Sequence, residues 1–401
     1  MAQPDSMDFP RIRAAANAAG AIDISLIRGG PFYRAQQLTR LIDANRWNLG
    51  RRIIFAIAVG WLPLVLMTLF FHPSALRNLL TDYRVNARLL VAVPVLLAGQ
   101  VVMESRFRTI VQHLRDCGIL DANGITRLDS IIASLSRWRD SIWPELCIVA
   151  LVYLNVWLVF TAHVNEARPW ALVGEGAGNL LPAGWYYAIV SQLIYQFLVG
   201  LSLWKWLLWS YFLFRLSGMD LRLVVTHPDE HAGTGFLGLS PMGNAPLAFA
   251  VTAAIGSNWR HQILDRGLHL VNFKIDAIVL LMLVLLVGVG PLVFFVPRLA
   301  KLRRKGILEY GTLGQLHSTD FHEKWILHRA GHESEFLTAP EISALTDYAS
   351  SYEKIEQMQP FPVDKGALLA LALAVAIPLF PVVLAEIPLG VVLKALLDAA
   401  K

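Results

Sequence analysis

The residues best equipped for chemistry lie in one short run, LRLVVTHPDEHAGTGFLG, residues 221–238. It holds two imidazoles, His227 and His231, beside the carboxylates of Asp229 and Glu230. Histidine and carboxylate ligate divalent metals, so His227, Asp229 and His231 form a candidate metal set. The two histidines stand four apart, which suits one helical face, but Pro228 between them opposes a helix. Zinc sites also call for three or four fixed ligands. A second use is anion binding: the bare amides of Gly233 and Gly235 can nest a phosphate. A third is acid–base work by His227 and Asp229. Against all three stands a turn, in which Pro228 fixes a dihedral, Asp229 caps, and the glycines permit close packing. The residue types leave these readings open, with His227, Asp229, His231, Gly233 and Gly235 as the candidate ligand-binding set.

A second histidine group, HSTDFHEKWILHRAGHESE, places His328 and His332 four apart, with His317 and His322 upstream. An exposed His-rich helix explains it as well as a metal site does. A third group is defined by its surroundings. Glu145, Asn155, Gln192, Gln196 and Lys205 interrupt long apolar runs. Ionisable groups at such places mark ion or substrate paths, or partner across helices. Gln192 and Gln196 share a helical face, and Glu145 and Lys205 fall near the same end of their runs, so the five are read as one polar track. Lys205 sits among Trp204, Trp206 and Trp209, the pattern of an interfacial aromatic belt from which a lysine snorkels. No Walker loop, Rossmann fingerprint, HExxH or nucleophile elbow occurs, so the identity of any cofactor stays unknown from the sequence.

The elements that must position these groups follow from composition. The 401 residues are 55% hydrophobic and 16% charged, with mean hydropathy +0.50, whereas soluble chains carry about 25% charged residues. Lipid is the implied solvent and the implied partner. The net charge of +5 is then the signature of basic loops, not of nucleic-acid binding. Seven apolar runs are candidate spans: 53–71, 89–103, 142–162, 185–208, 239–257, 275–296 and 367–384. The second is short, and the fifth is Gly/Ala-rich and broken by Pro241 and Pro246. With the N-terminus inside, the inner segments carry 25 Lys and Arg and the outer loops 7. That bias orients the chain by the positive-inside rule, as a multi-pass protein of a bacterial inner membrane with a cytoplasmic N-terminus. The 221–238 loop then faces the cytoplasm.

The predicted fold is all-α, a seven-span bundle with a small helical cytoplasmic layer. Residues 1–52 form a cytoplasmic N-terminal segment and 53–297 the bundle. Residues 298–365 form a cytoplasmic helical segment in which Pro340 starts a helix. Residues 366–401 hold the last span, kinked by Pro378 and Pro381, followed by an amphipathic helix from Leu389 on the outer surface or, as the alternative, a re-entrant hairpin returning to the cytoplasm. Only Cys117 and Cys147 are present, which gives no disulfide framework. The polar segment before residue 53 does not read as a signal peptide.

Several stretches together resemble a family of uncharacterised multi-pass inner-membrane proteins of Gram-negative bacteria. They are WLPLVL (61–66), LLTDYRVNARLLVAVPVLLAGQ (79–100), GWYY (184–187), QFL (196–198), LRLVVTHPD (221–229) and DYASSYEKIEQMQPFP (347–362). The resemblance covers most of the chain from the first span onward. It implies that His227-Pro228-Asp229 with trailing glycines is a family mark, and it implies no activity. The chain departs from that pattern twice. Gly233-Thr234-Gly235 replaces an adjacent Gly-Gly, and Gln100 stands where the pattern has Glu.

Span number and the lack of a large soluble domain favour a transporter or channel for a small solute or ion. The alternatives are an enzyme acting on a lipid or phosphorylated substrate at the cytoplasmic face, and a sensor or scaffold. A homo-oligomer suits the first.

Overall fold

The computed structural model describes residues 25, 28–43, 47–162, 170–171, 180–327 and 340–387. They are all-α. A short helix, α1 (Pro31–Leu38), precedes α2 (Leu49–Phe71), α3 (Tyr83–Asp116), α4 (Ala122–Arg139), α5 (Trp143–Ala162) and α6 (Pro182–Ser217). Then come α7 (Pro241–Arg266), α8 (Lys274–Val289), α9 (Val296–Phe321), α10 (Pro340–Gln357) and α11 (Lys365–Val383). Helices α2, α3, α6, the continuous run Leu270–Leu327 that contains α8 and α9, and α11 are each long and apolar enough to cross a membrane. The count rises from 5 to 6 if α4 and α5, which meet at 44°, act as one broken span.

Of the seven predicted spans, the third qualifies only where α5 joins α4, and the fifth, α7, does not qualify. Its sequence is rich in Gly, Ala and Ser because its neighbours are protein, not lipid. Ala250, Ala253, Ala254, Thr252 and Gly256 are all buried, and α3 and α11 pack along it. A Cβ on Gly99 of α3 would lie 2.6 Å from the Pro246 ring, so the two helices touch nearly backbone to backbone. At 26 residues α7 is about 39 Å long. Just before its start, Gly238 packs on the backbone of 362–364, and in its second half Arg260 stacks on the Tyr83 ring.

Prolines break the helices at points where side chains replace the lost hydrogen bonds, as a lipid-facing backbone requires. Pro63 has no N–H for the Val59 carbonyl, and Tyr186 Oη donates to it at 2.6 Å. Pro291 likewise frees the Val287 carbonyl, which accepts Trp206 Nε1 at 2.7 Å and Asn244 Nδ2 at 3.4 Å. The 3-10 segment Gly290–Phe295 is thus tied to α6 and α7 through the Val287 carbonyl.

Two ends of the bundle result. At one, 119–120, 221–238, 298–303 and 356–364 meet: Arg222 N donates to Ile119 O at 2.9 Å, and Gln359 N to Glu230 O at 2.8 Å. Arg298 Nη1 donates to Met219 O, and Arg303 Nη2 to Glu356 O at 2.7 Å, each closing the end of a helix. At the other, Trp170 Nε1 donates to Asp82 Oδ2 at 3.0 Å, and His269 Nδ1 lies 3.1 Å from Glu386. The segments assigned to one membrane side by charge therefore gather at one end. The predicted helix from Leu389 lies outside the described residues.

Candidate functional site

The 221–238 loop is organised by one carboxylate. Asp229 Oδ1 accepts the amides of His231 at 2.9 Å and Gly233 at 3.0 Å, and Oδ2 accepts Gly235 N at 2.8 Å. His227 Nδ1 lies 2.8 Å from Oδ1. Burial pushes the Asp229 carboxyl up, but the Gly233, Gly235 and His231 amides and His227 outweigh it and hold it below the usual range. The amides available to a phosphate are thus filled from within the chain. Positive φ at Glu230, Ala232 and Gly233 (58°, 56° and 90°) makes this ring of amides possible. His231 Nδ1 lies 3.0 Å from Gln359 O, fixing the loop to the segment before α11. Gly238 admits the backbone of that segment, since a Cβ there would stand 2.7 Å from Asp364 N.

Among the described residues no three His, Cys, Asp or Glu side chains converge to hold a metal. Of the second histidine group, His328 and His332 lie outside the described residues, and the His317 ring faces Tyr348 with 6.5 Å between centroids.

The five polar residues of the predicted track fall into separate places. Asn155 is exposed on α5 and accepts Gln196 Nε2 at 3.2 Å, a hydrogen bond between helices at the lipid-facing side. Gln192 is half-buried on the same side of α6. Glu145, in the first turn of α5, accepts the Phe32 amide at 2.9 and 3.1 Å. It thereby anchors the start of α1, with Asp140 accepting Gly30 N at 2.9 Å. Lys205 is buried inside the bundle, 6% exposed, in place of the snorkelling position its tryptophans suggested.

Around Lys205 the fold assembles charges that the track did not include. Arg52 of α2 is 3% exposed and donates Nη2 to Gln100 Oε1 of α3 at 2.6 Å. Its Nε and Nη1, and Gln100 Nε2, have no acceptor among the described residues. One turn beyond Gln100, buried Glu104 pairs with Arg108 at 2.5 Å. Gln100, Ser202, Lys205 and Asn244 line a cavity of about 20 Å³, room for one water. Glu104 and Glu145 are the acids whose fields reach Lys205, and Arg52 and Arg139 the cations. No hydrogen bond or ion pair to the Lys205 ammonium occurs among the described residues.

The signal for this cluster was present in the spacing. Gln100 and Glu104 are four apart, hence on one helical face. Arg51 and Arg52 are about 100° apart around α2, so one points outward and the other inward; Arg51 is exposed and Arg52 buried.

The acids are already engaged, Glu104 by Arg108 and Glu145 by Phe32. What remains is a surplus of donors. Buried N–H groups without a protein acceptor are completed by an ordered water or by an anion. The fold and this site together define an all-α integral membrane protein with a buried, donor-rich polar centre. No family model, curated protein or solved structure matches the chain.

Proposed function

We propose that this integral membrane protein is a carrier or channel for a small anion in a bacterial inner membrane, with its N-terminus on the cytoplasmic side. The observation that carries the reading is the contiguous set of donors without acceptors, Arg52 Nε and Nη1 and Gln100 Nε2, beside the buried ammonium of Lys205. Charge inside a membrane costs about 3 kcal/mol or more at the bilayer centre, and a purely structural cluster would spend its hydrogen bonds internally. The 25-to-7 excess of Lys and Arg on one set of loops supports the orientation. The lipid-enzyme alternative has less support, because Asp229 is committed to three backbone amides.

The test is uptake of labelled chloride, acetate and phosphate into proteoliposomes. Saturable uptake of at least one, reduced tenfold or more in Lys205→Met and Arg52→Gln, is expected. Uptake of all three equal to protein-free liposomes contradicts the proposal.

A further inference from the structure

A second feature adjoins Arg52. An apolar pocket of about 340 Å³ opens beside it, lined along α2 by Phe55, Ala56 and Val59 and opposite by Val149, Ile194 and Phe197. This volume is at the lower end for ligand sites. Arg52 and Gln36 are the polar lining residues. Both are more than nine-tenths buried, and each carries an atom without a hydrogen-bond partner: Arg52 Nε and Nη1, and Gln36 Oε1. Trp47 covers the guanidinium at 5.7 Å from its ring centre. Phe32 of α1 closes the same end by packing edge-on against Phe197 at 5.1 Å.

We infer that this pocket binds a single-chain amphiphile with a carboxylate head, a fatty acid. The inference rests on the anion reading of Arg52 given above, and adds the chain. Arg52, Phe55, Ala56 and Val59 occupy positions i, i+3, i+4 and i+7 of one helix, so they form a single stripe. The charged end lies in the first turn of α2 and the apolar end about 10 Å further along the helix. A carboxylate can accept from one of these two free nitrogens together with the second N–H of Nη2, the edge of the guanidinium that Gln100 leaves open. An amide's oxygen and nitrogen exchange by rotation, so Gln36 can turn an N–H toward the same head. The enclosed polar end selects against a diacyl phospholipid, whose glycerol and phosphodiester exceed what a 3%-exposed arginine can admit. In the bilayer the chain gains nothing over lipid, which is as apolar as leucine. Selectivity therefore resides in the head.

The test is photolabelling of the full chain in nanodiscs with a diazirine-bearing fatty acid, mapped by mass spectrometry. Labels are expected in 52–59 and 193–198. Dodecanoate should compete roughly tenfold better than dodecanol, about 1.4 kcal/mol, and acetate should not compete. Arg52→Gln should erase the acid–alcohol difference, and Val59→Trp should remove the label by filling the pocket. Labels spread evenly over lipid-facing helices, or equal competition by acid and alcohol on the wild-type protein, would overturn the inference. Competition as expected without anion flux would leave the fatty-acid site standing and remove the transport reading. Flux of small anions with even labelling would do the reverse.

Discussion

Arg52 and Gln100 lie 48 residues apart and join α2 to α3 through a hydrogen bond of 2.6 Å in the interior of the bundle. The bond uses one of the arginine's three nitrogens and leaves the other two, with the amide nitrogen of Gln100, unsatisfied. A neutral partner at position 100 orients the cation without neutralising it. That leaves the donor set open to an exchangeable anion.

Gln100→Glu tests this relationship. A carboxylate there supplies a full ion pair and removes one donor. Thermal stability is expected to be unchanged or raised, and anion flux to fall at least tenfold. Flux at the wild-type level in the folded variant would show that the donors around Arg52 do not bind the transported species.

Lys205→Met separates function from architecture. Replacing a buried ion with an apolar side chain of similar volume is often neutral or stabilising. Glu104 and Glu145 keep Arg108 and the Phe32 amide as partners. The melting temperature in detergent should therefore hold or rise. A drop of several degrees would mean that Lys205 is part of the scaffold.

Asp229 makes the 221–238 loop sensitive to acid. Its folded pKa lies below the ordinary value of 3.8. It thus contributes stability above that value, and the contribution is lost as pH falls through the folded pKa. Proteolysis at 227–235 should rise only below about pH 4. Asp229→Ala should show the same cleavage at neutral pH, with a loss of about 2 kcal/mol in stability, the range for hydrogen bonds to a charged group. An unchanged cleavage pattern would refute the account of the loop.

The break at Pro291 gives a packing prediction. Trp206→Phe leaves the Val287 carbonyl with only the longer Asn244 contact at 3.4 Å. A cost of about 1 kcal/mol is expected, read as a lower melting temperature, with Asn244→Ala costing more in the Trp206→Phe background than alone, because the carbonyl is then left without a partner. Strict additivity would mean that the two side chains do not share the carbonyl.

The helical class and the ends of the bundle were legible because hydropathy and loop charge are local properties summed over many residues. The spans 53–71, 185–208 and 275–296 fall inside long helices, 367–384 matches α11 to within one residue at its end, and α3 extends the short 89–103 run in both directions. The role of α7 was harder to read. Its low hydropathy reflects burial against other helices, which only the packing reveals. The polar track was hardest, because depth along a helix is readable from sequence but direction around the bundle is not. Asn155 and Gln196 face one another at the lipid-facing side, whereas Lys205 turns inward toward Gln100 and Asn244. Arg52 and Glu104 were assigned to flanking segments because they adjoin apolar runs, yet both lie in turns that the fold buries. Asp229 illustrates a different limit. Its sequence neighbours fit an anion nest, and the structure supplies the anion from the same loop.

The central claim is that the buried donor set around Arg52, Gln100 and Lys205 carries an anion across the membrane. The most direct measurement is potential-driven anion uptake in proteoliposomes holding equal amounts of folded wild-type and Lys205→Met protein. The account predicts saturable uptake by the wild type and at least a tenfold reduction in the variant. Equal uptake by the two proteins, or none by either, would contradict it.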